Sequence, residues 1–120
     1  MKKTDYNLAV YCGARSGNDP LFTTRAQELG TLCAQNNIGV VYGGGRTGLM
    51  GTVAGATLDA GGVVYGVVTH KLVGLEGVYP GQTTLDIVDT MHQRKIAMID
   101  KADAFVAMPG GPGTLEEFFE

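Results

Sequence analysis

Three short glycine-rich runs carry the strongest chemical signal in the sequence: residues 12–17 (CGARSG), 43–48 (GGGRTG) and 109–114 (PGGPGT). Each lies between an apolar run and a segment with helical character. Such a turn aims main-chain N–H groups outward at the start of a helix, where the dipole favours an anion by ~0.3–2 kcal/mol. Glycine suits the position because a Cβ would block the close approach of a phosphate and penalise positive φ. One such turn reads equally well as a tight connection; three at the same sheet edge argue for a phosphate-bearing ligand. The segment 89–102 adds two cations, Arg94 and Lys95. They flank an apolar line through Met91, Met98 and Ala102, with Gln93 and Asp100 on the far side. Cations so placed either clamp a phosphate or carboxylate, which Arg suits better than Lys, or reach solvent along their stems, or form a structural ion pair. Near the end of the chain Leu115, Phe118 and Phe119 form an apolar face and Glu117 points away from it. Glu117 is a candidate catalytic carboxylate, but Thr114-x-x-Glu117 also has capping-box spacing. Glu116 sits between the two faces and is open to both readings.

Other signals narrow the ligand. Gly43-x-Gly45-x-x-Gly48 matches the dinucleotide fingerprint in form. That fingerprint also calls for an acidic residue at the end of the next strand, for the ribose hydroxyls. Here that strand ends Val67-Val68-Thr69-His70, without a carboxylate. The pattern therefore suits a mononucleotide or sugar phosphate better than NAD, and no Gly-Lys-Ser/Thr follows to make a Walker loop. The two cysteines, Cys12 and Cys33, fit no metal spacing with His70 and His92. Cys33 shares a helical stripe with Phe22, Ala26 and Leu29 and is expected to be a buried free thiol. No metal site and no cofactor are expected.

The elements that must position these residues follow from alternating patterns. Strands are expected at 7–12, 38–42, 63–68, 85–88 and 103–108. Helices are expected from Pro20 to about Gln35, over 47–60 and over 89–102, with a further one opening near Gly113. Asp19-Pro20 reads as an N-cap with proline in the first helical position, Asn36-Asn37 as one stop and Gly61-Gly62 as another. Strands alternating with helices imply an α/β fold, a Rossmann-like doubly wound parallel sheet, with apolar strands covered on both faces. At 120 residues this is a single nucleotide-binding domain, and the helix opening near Gly113 stops without a cap, so C-terminal elements are expected to be missing.

Composition excludes several functions. Hydrophobic residues make up 44% and charged residues 18%, which rules out a disordered chain. A net charge of −3 argues against a nucleic-acid binder. No apolar run approaches a membrane span, and the run behind Lys2-Lys3 is too short for a signal peptide, so a cytoplasmic location is expected.

The segments GGGRTGLMG, MHQRK and PGGPGTLEE, in this order and spacing, closely resemble the LOG family, cytokinin riboside 5′-monophosphate phosphoribohydrolases often labelled as lysine decarboxylases. The resemblance runs from about residue 6 to the last residue. It implies a Rossmann-like fold and cleavage of the N-glycosidic bond of an adenine-type nucleoside 5′-monophosphate, giving free base and ribose 5-phosphate. The family's catalytic arginine falls on Arg94, its lysine neighbour on Lys95 and its catalytic glutamate on Glu117. A further substrate-contacting glutamate falls on Glu76. The phosphate-binding turns bring in Gly44, Gly45, Thr47 and Gly48, and then Gly110, Gly111, Gly113 and Thr114; Ser16 and Glu116 complete the substrate contacts. The resemblance also implies a homodimer with its active site close to the subunit interface. Arg15 and Arg46 stand where the family usually shows small residues, and Thr69-His70-Lys71 replaces a stretch that often contains proline. A non-catalytic nucleotide or cofactor carrier, like the molybdenum-cofactor carriers, would need the glycine turns but not Arg94 and Glu117. An NAD-dependent oxidoreductase is disfavoured by the missing ribose carboxylate.

Overall fold

Apolar runs rich in valine become strands, and the segments between them become helices. The computed structural model describes residues 4, 6–11, 20–44, 48–71 and 84–107. In chain order the elements are β1 (Tyr6–Tyr11), α1 (Pro20–Gln35), β2 (Ile38–Tyr42), α2 (Gly48–Asp59), β3 (Val64–Thr69), β4 (Thr84–Val88), α3 (Met91–Lys101) and β5 (Ala104–Ala107). The strands form one sheet in the order β4-β3-β2-β1-β5, with every pairing parallel. The chain steps outward from β1 through β2 and β3 to β4, then crosses back to place β5 on the other side of β1. Right-handed crossovers in opposite directions put helices on opposite faces. The expected doubly wound α/β architecture is therefore present, and its winding reverses between β1 and β5.

The alternation of side chains along the strands builds two cores. Val10, Val40, Tyr42 and Val64 face α1 and α2, where Ala26, Cys33, Leu49, Val53 and Ala54 close over them. Ala9, Tyr11, Val41 and Val67 face α3 and pack against Met98. Nearly all of these side chains are removed from water, each worth about 1.5–3 kcal/mol for a Val- or Leu-sized group. Cys33 lies in the first core as expected, and burial raises its thiol pKa above the ordinary 9.0. α1 and α2 approach closely at Gly30, where an added Cβ would lie 2.5 Å from the Val53 carbonyl oxygen.

Helix ends follow local chemistry. α1 stops at Asn37, whose φ of 55° is the left-handed conformation that asparagine tolerates. α2 ends in a Schellman motif: Gly61 (φ 82°) donates to the Leu58 carbonyl and Gly62 to the Thr57 carbonyl. α3 begins at Met91, two residues later than the expected start at residue 89. Thr90 is the N-cap, accepting from the Gln93 N–H, and the Gln93 side chain returns to the Thr90 N–H in a full capping box. Ala102 is extended (φ −93°, ψ 142°), so α3 ends at Lys101 rather than at Ala102.

Two expectations need correction. Met91, placed on the inner line of α3, is 45% exposed; the buried positions of the helix are instead Arg94 and Met98. β5, expected to be apolar on two covered faces, alternates between half-buried and exposed, with Phe105 45% exposed. Among the described residues β5 pairs only with β1. At the amino edge of the sheet Asn7 ties β1 to the end of α3, through its side chain to the Lys101 carbonyl (3.0 Å) and its N–H to Asp103 (2.8 Å). Among the described residues no helix is long and apolar enough to cross a membrane.

Candidate functional site

All five strands point their carboxyl ends the same way, so the segments that follow β1, β2 and β5 leave from one edge. These three strands are neighbours in the order β2-β1-β5, and they precede the three glycine runs. The winding reverses within this trio, which is where open α/β sheets bind ligands.

Arg94 is a buried charged side chain delivered to this edge. It lies in the early part of α3 and is 7% exposed, beneath the helix rather than beside its apolar line. The capping box at Thr90 and Gln93 fixes where the helix begins and therefore which residues face the sheet. Its Nε donates to the Val67 carbonyl at 3.0 Å and its Nη2 to the Gly43 carbonyl at 3.3 Å. Val67 lies near the end of β3 and Gly43 directly follows β2. The guanidinium thus bridges the carboxyl ends of two adjacent strands, while Nη1 lies 3.9 Å from the Met91 sulfur. Taking such a charge out of water costs several kcal/mol, and charge-assisted bonds to carbonyl dipoles offset it. Of the alternatives open from sequence, snorkelling to solvent is excluded for Arg94, since its head turns inward.

The electrostatics favour an anion. The first turn of α3 holds no acidic residue, and Arg94 and Lys95 lie in its first two turns. Cations near a helix N-terminus oppose the dipole rather than complement it, and so make the local potential positive. Lys95 is half-buried. α2 brings a second helix N-terminus to the same edge, starting at Gly48 with φ 60° and no acid in its first turn. Gly44, with φ 82°, is buried beside it, and an added Cβ there would run into Val68. At the rim, His70 approaches Asp89 at 3.4 Å, but both side chains are mostly exposed, so water screens the pair. Among the described residues no group of three or more His, Cys, Asp or Glu side chains gathers as a metal site would require.

A family model described as "Possible lysine decarboxylase" matches residues 50–120, more than half of the chain. A cytokinin riboside 5′-monophosphate phosphoribohydrolase of Rhodococcoides fascians is 44% identical over 99% of this chain and 61% of its own length. The chain belongs to this family, the LOG family. A cytokinin riboside 5′-monophosphate phosphoribohydrolase of Arabidopsis thaliana is also 44% identical, over 94% of this chain and 53% of its own. The chain thus spans about half to three-fifths of the length of the curated relatives it matches. Among solved structures, a molybdenum cofactor binding protein of Rippkaea orientalis superposes with a TM-score of 0.79 at 23% identity, over 99% of this chain and 70% of its own. A molybdenum cofactor carrier protein of Chlamydomonas reinhardtii gives 0.77 at 19%, over 95% and 68%. At these identities the likeness establishes the shared Rossmann-like fold.

Of the residues that the LOG family resemblance singles out, the structure brings Gly44, Gly48, Arg94 and Lys95 to the carboxyl edge. Ser16, Gly45, Thr47, Glu76, Gly110, Gly111, Gly113, Thr114, Glu116 and Glu117 lie outside the described residues. Two partners of Arg94 escape a reading of the sequence: the carbonyls of Val67 and Gly43. A main-chain acceptor leaves no mark in residue type. Only the glycine at position 43 hints that something bulky occupies the place of its side chain.

Proposed function

We propose that this protein is a phosphoribohydrolase that cleaves the N-glycosidic bond of adenine-type nucleoside 5′-monophosphates, a cytokinin ribotide or AMP, to free base and ribose 5-phosphate. The observation that carries the proposal is the inward-turned Arg94, held at the carboxyl edge beside the glycine run that follows β2. Relatives at 44% identity that are named for this activity support it.

In this reading the 5′-phosphate rests on the turns 43–48 and 110–114, with Ser16 contributing from the first turn. Arg94 holds the phosphate or orients Glu117, assisted by Lys95. Bond cleavage passes through an oxocarbenium-like ribosyl cation, which Glu117 stabilises, or to which it delivers an activated water. Water adds at C1′ as the bond to the base breaks; the bonding electron pair leaves with the base, which gains a proton. Glu76 and Glu116 contact the substrate, and the reaction uses no metal or cofactor. A homodimer belongs to the same reading: Ile96 and Ile99 on the outer side of α3 are each 46% exposed, an apolar strip that a second copy would cover.

Incubation with AMP and with isopentenyladenosine monophosphate tests the proposal. Release of free base supports it. Tight binding without base release would instead establish a nucleotide or cofactor carrier on the same fold.

A further inference from the structure

We propose that Gly43 is a positioning residue for Arg94: its carbonyl and its missing side chain together form the seat that holds the guanidinium at the carboxyl edge of the sheet. The kinetic consequences rest on the phosphoribohydrolase reading; the seat itself does not.

Glycine in such turns usually serves a positive φ or the approach of a ligand. Gly43 shows a different reason. The described glycines with positive φ are Gly44, Gly48 and Gly61, so the backbone at position 43 is open to an ordinary L-residue. The residue continues the alternation of β2, in which Val41 faces α3 and Tyr42 faces α1 and α2. A Cβ at position 43 therefore points towards α3, where it would collide with Arg94 Nη2 and lie 3.0 Å from Cζ. The three nearest atoms it would meet all belong to the Arg94 guanidinium, the mobile end of a side chain, rather than to the sheet. The same residue supplies the acceptor for Nη2, while Val67 supplies the acceptor for Nε. Because the guanidinium is planar, two bonds along its Nε–Nη2 edge fix its plane. A methyl group at position 43 removes one of these bonds and turns the plane, while leaving the strand free to pair as before.

The test compares Gly43→Ala, Arg94→Ala and the double variant in the full chain. Gly43→Ala should lower kcat by about 10-fold to 10²-fold, with a smaller change in KM, the scale expected when a reacting group is displaced by about an ångström. Added to Arg94→Ala it should cost nothing further, because its only target is gone. Free guanidinium should restore part of the rate of Arg94→Ala and fail to do so in the double variant, where the seat is filled. Independently of turnover, the ¹⁵N-detected Arg94 Nε–H should exchange slowly in the parent and lose that protection in Gly43→Ala. Equal losses in both backgrounds would overturn the proposal, since Gly43 would then act directly on the ligand. Full activity of Gly43→Ala with Nε–H still protected would also overturn it, as would failure of Gly43→Ala to fold. A parent chain that releases no base defeats the phosphoribohydrolase reading, and the exchange measurement still decides the seat.

Discussion

Gly30→Ala is expected to destabilise the protein, against the rule for glycine in helices. Gly30 lies in the interior of α1, where alanine normally gains up to about 1 kcal/mol from propensity alone. Here an added Cβ would meet the Val53 carbonyl oxygen at 2.5 Å, the Ala56 Cβ at 2.9 Å and the Thr57 hydroxyl at 3.0 Å. The first of these is helix backbone and cannot rotate away. The Thr57 hydroxyl is itself committed to the Val53 carbonyl at 2.8 Å. Relief therefore requires α1 and α2 to separate, which would loosen the core containing Ala26, Cys33 and Val53. Overpacking of this kind costs about 1–3 kcal/mol. A clash with helix backbone puts the cost in the upper half of that range, about 2–3 kcal/mol, so after the propensity gain of up to about 1 kcal/mol a net loss of about 1–2 kcal/mol remains, or a fall in Tm of roughly 4–8 °C for a domain near this size. Thermal and urea melts of the full chain measure it. The rate constant should hold, because α1 and α2 cover the face of the sheet opposite Arg94. A Gly30→Ala protein as stable as the parent, or more stable, would refute the packing argument and show that the two helices part at little cost.

Other expectations follow from the same geometry. Arg94→Lys should behave like a loss rather than a conservative change, lowering turnover by ~10²-fold or more, since an ammonium lacks the planar fork that reaches both the Val67 and Gly43 carbonyls; steady-state kinetics decide it. Glu117→Ala should lower kcat by ~10²-fold with little change in substrate affinity. If Glu117 serves only as a cap, it should instead cost up to ~1 kcal/mol in a melt and leave the rate unchanged. Gly45→Val should abolish phosphate binding, read by calorimetry, without unfolding the sheet. The Cys33 thiol, with its pKa raised by burial, contributes stability that is complete below its unfolded value of 9.0 and is lost as pH rises through the folded value; Cys33→Ala should flatten that part of the alkaline stability profile.

The fold was legible because each strand is a short, mostly apolar run and two helices carry their own stops, Asn37 for α1 and Gly61-Gly62 for α2. The buried thiol at Cys33 was legible from its stripe for the same reason. The start of α3 was placed two residues early, at 89, although Thr90-x-x-Gln93 spells the capping box that makes Thr90 the N-cap. The orientation of Arg94 was only half legible. Helical spacing puts it near the inner face, but the carbonyls that turn its head inward belong to Gly43, just after β2, and to Val67 in β3, 51 and 27 residues away in sequence. The exposure of Phe105 depends on what covers its face of the sheet, which no local pattern records. The candidate site was legible as three turns and a cation; the seat that connects the cation to one turn was not.

The phosphoribohydrolase proposal stands or falls with the role of Arg94 in cleaving a nucleoside 5′-monophosphate. The most direct test follows base and ribose 5-phosphate together, by chromatography, as the full chain and its Arg94→Ala variant act on AMP and on isopentenyladenosine monophosphate. At least one nucleotide should yield the two products in equal amounts, and Arg94→Ala should slow their appearance by ~10²-fold or more. Nucleotide bound and recovered intact by the parent chain, or an equal rate of cleavage by the variant, would contradict it.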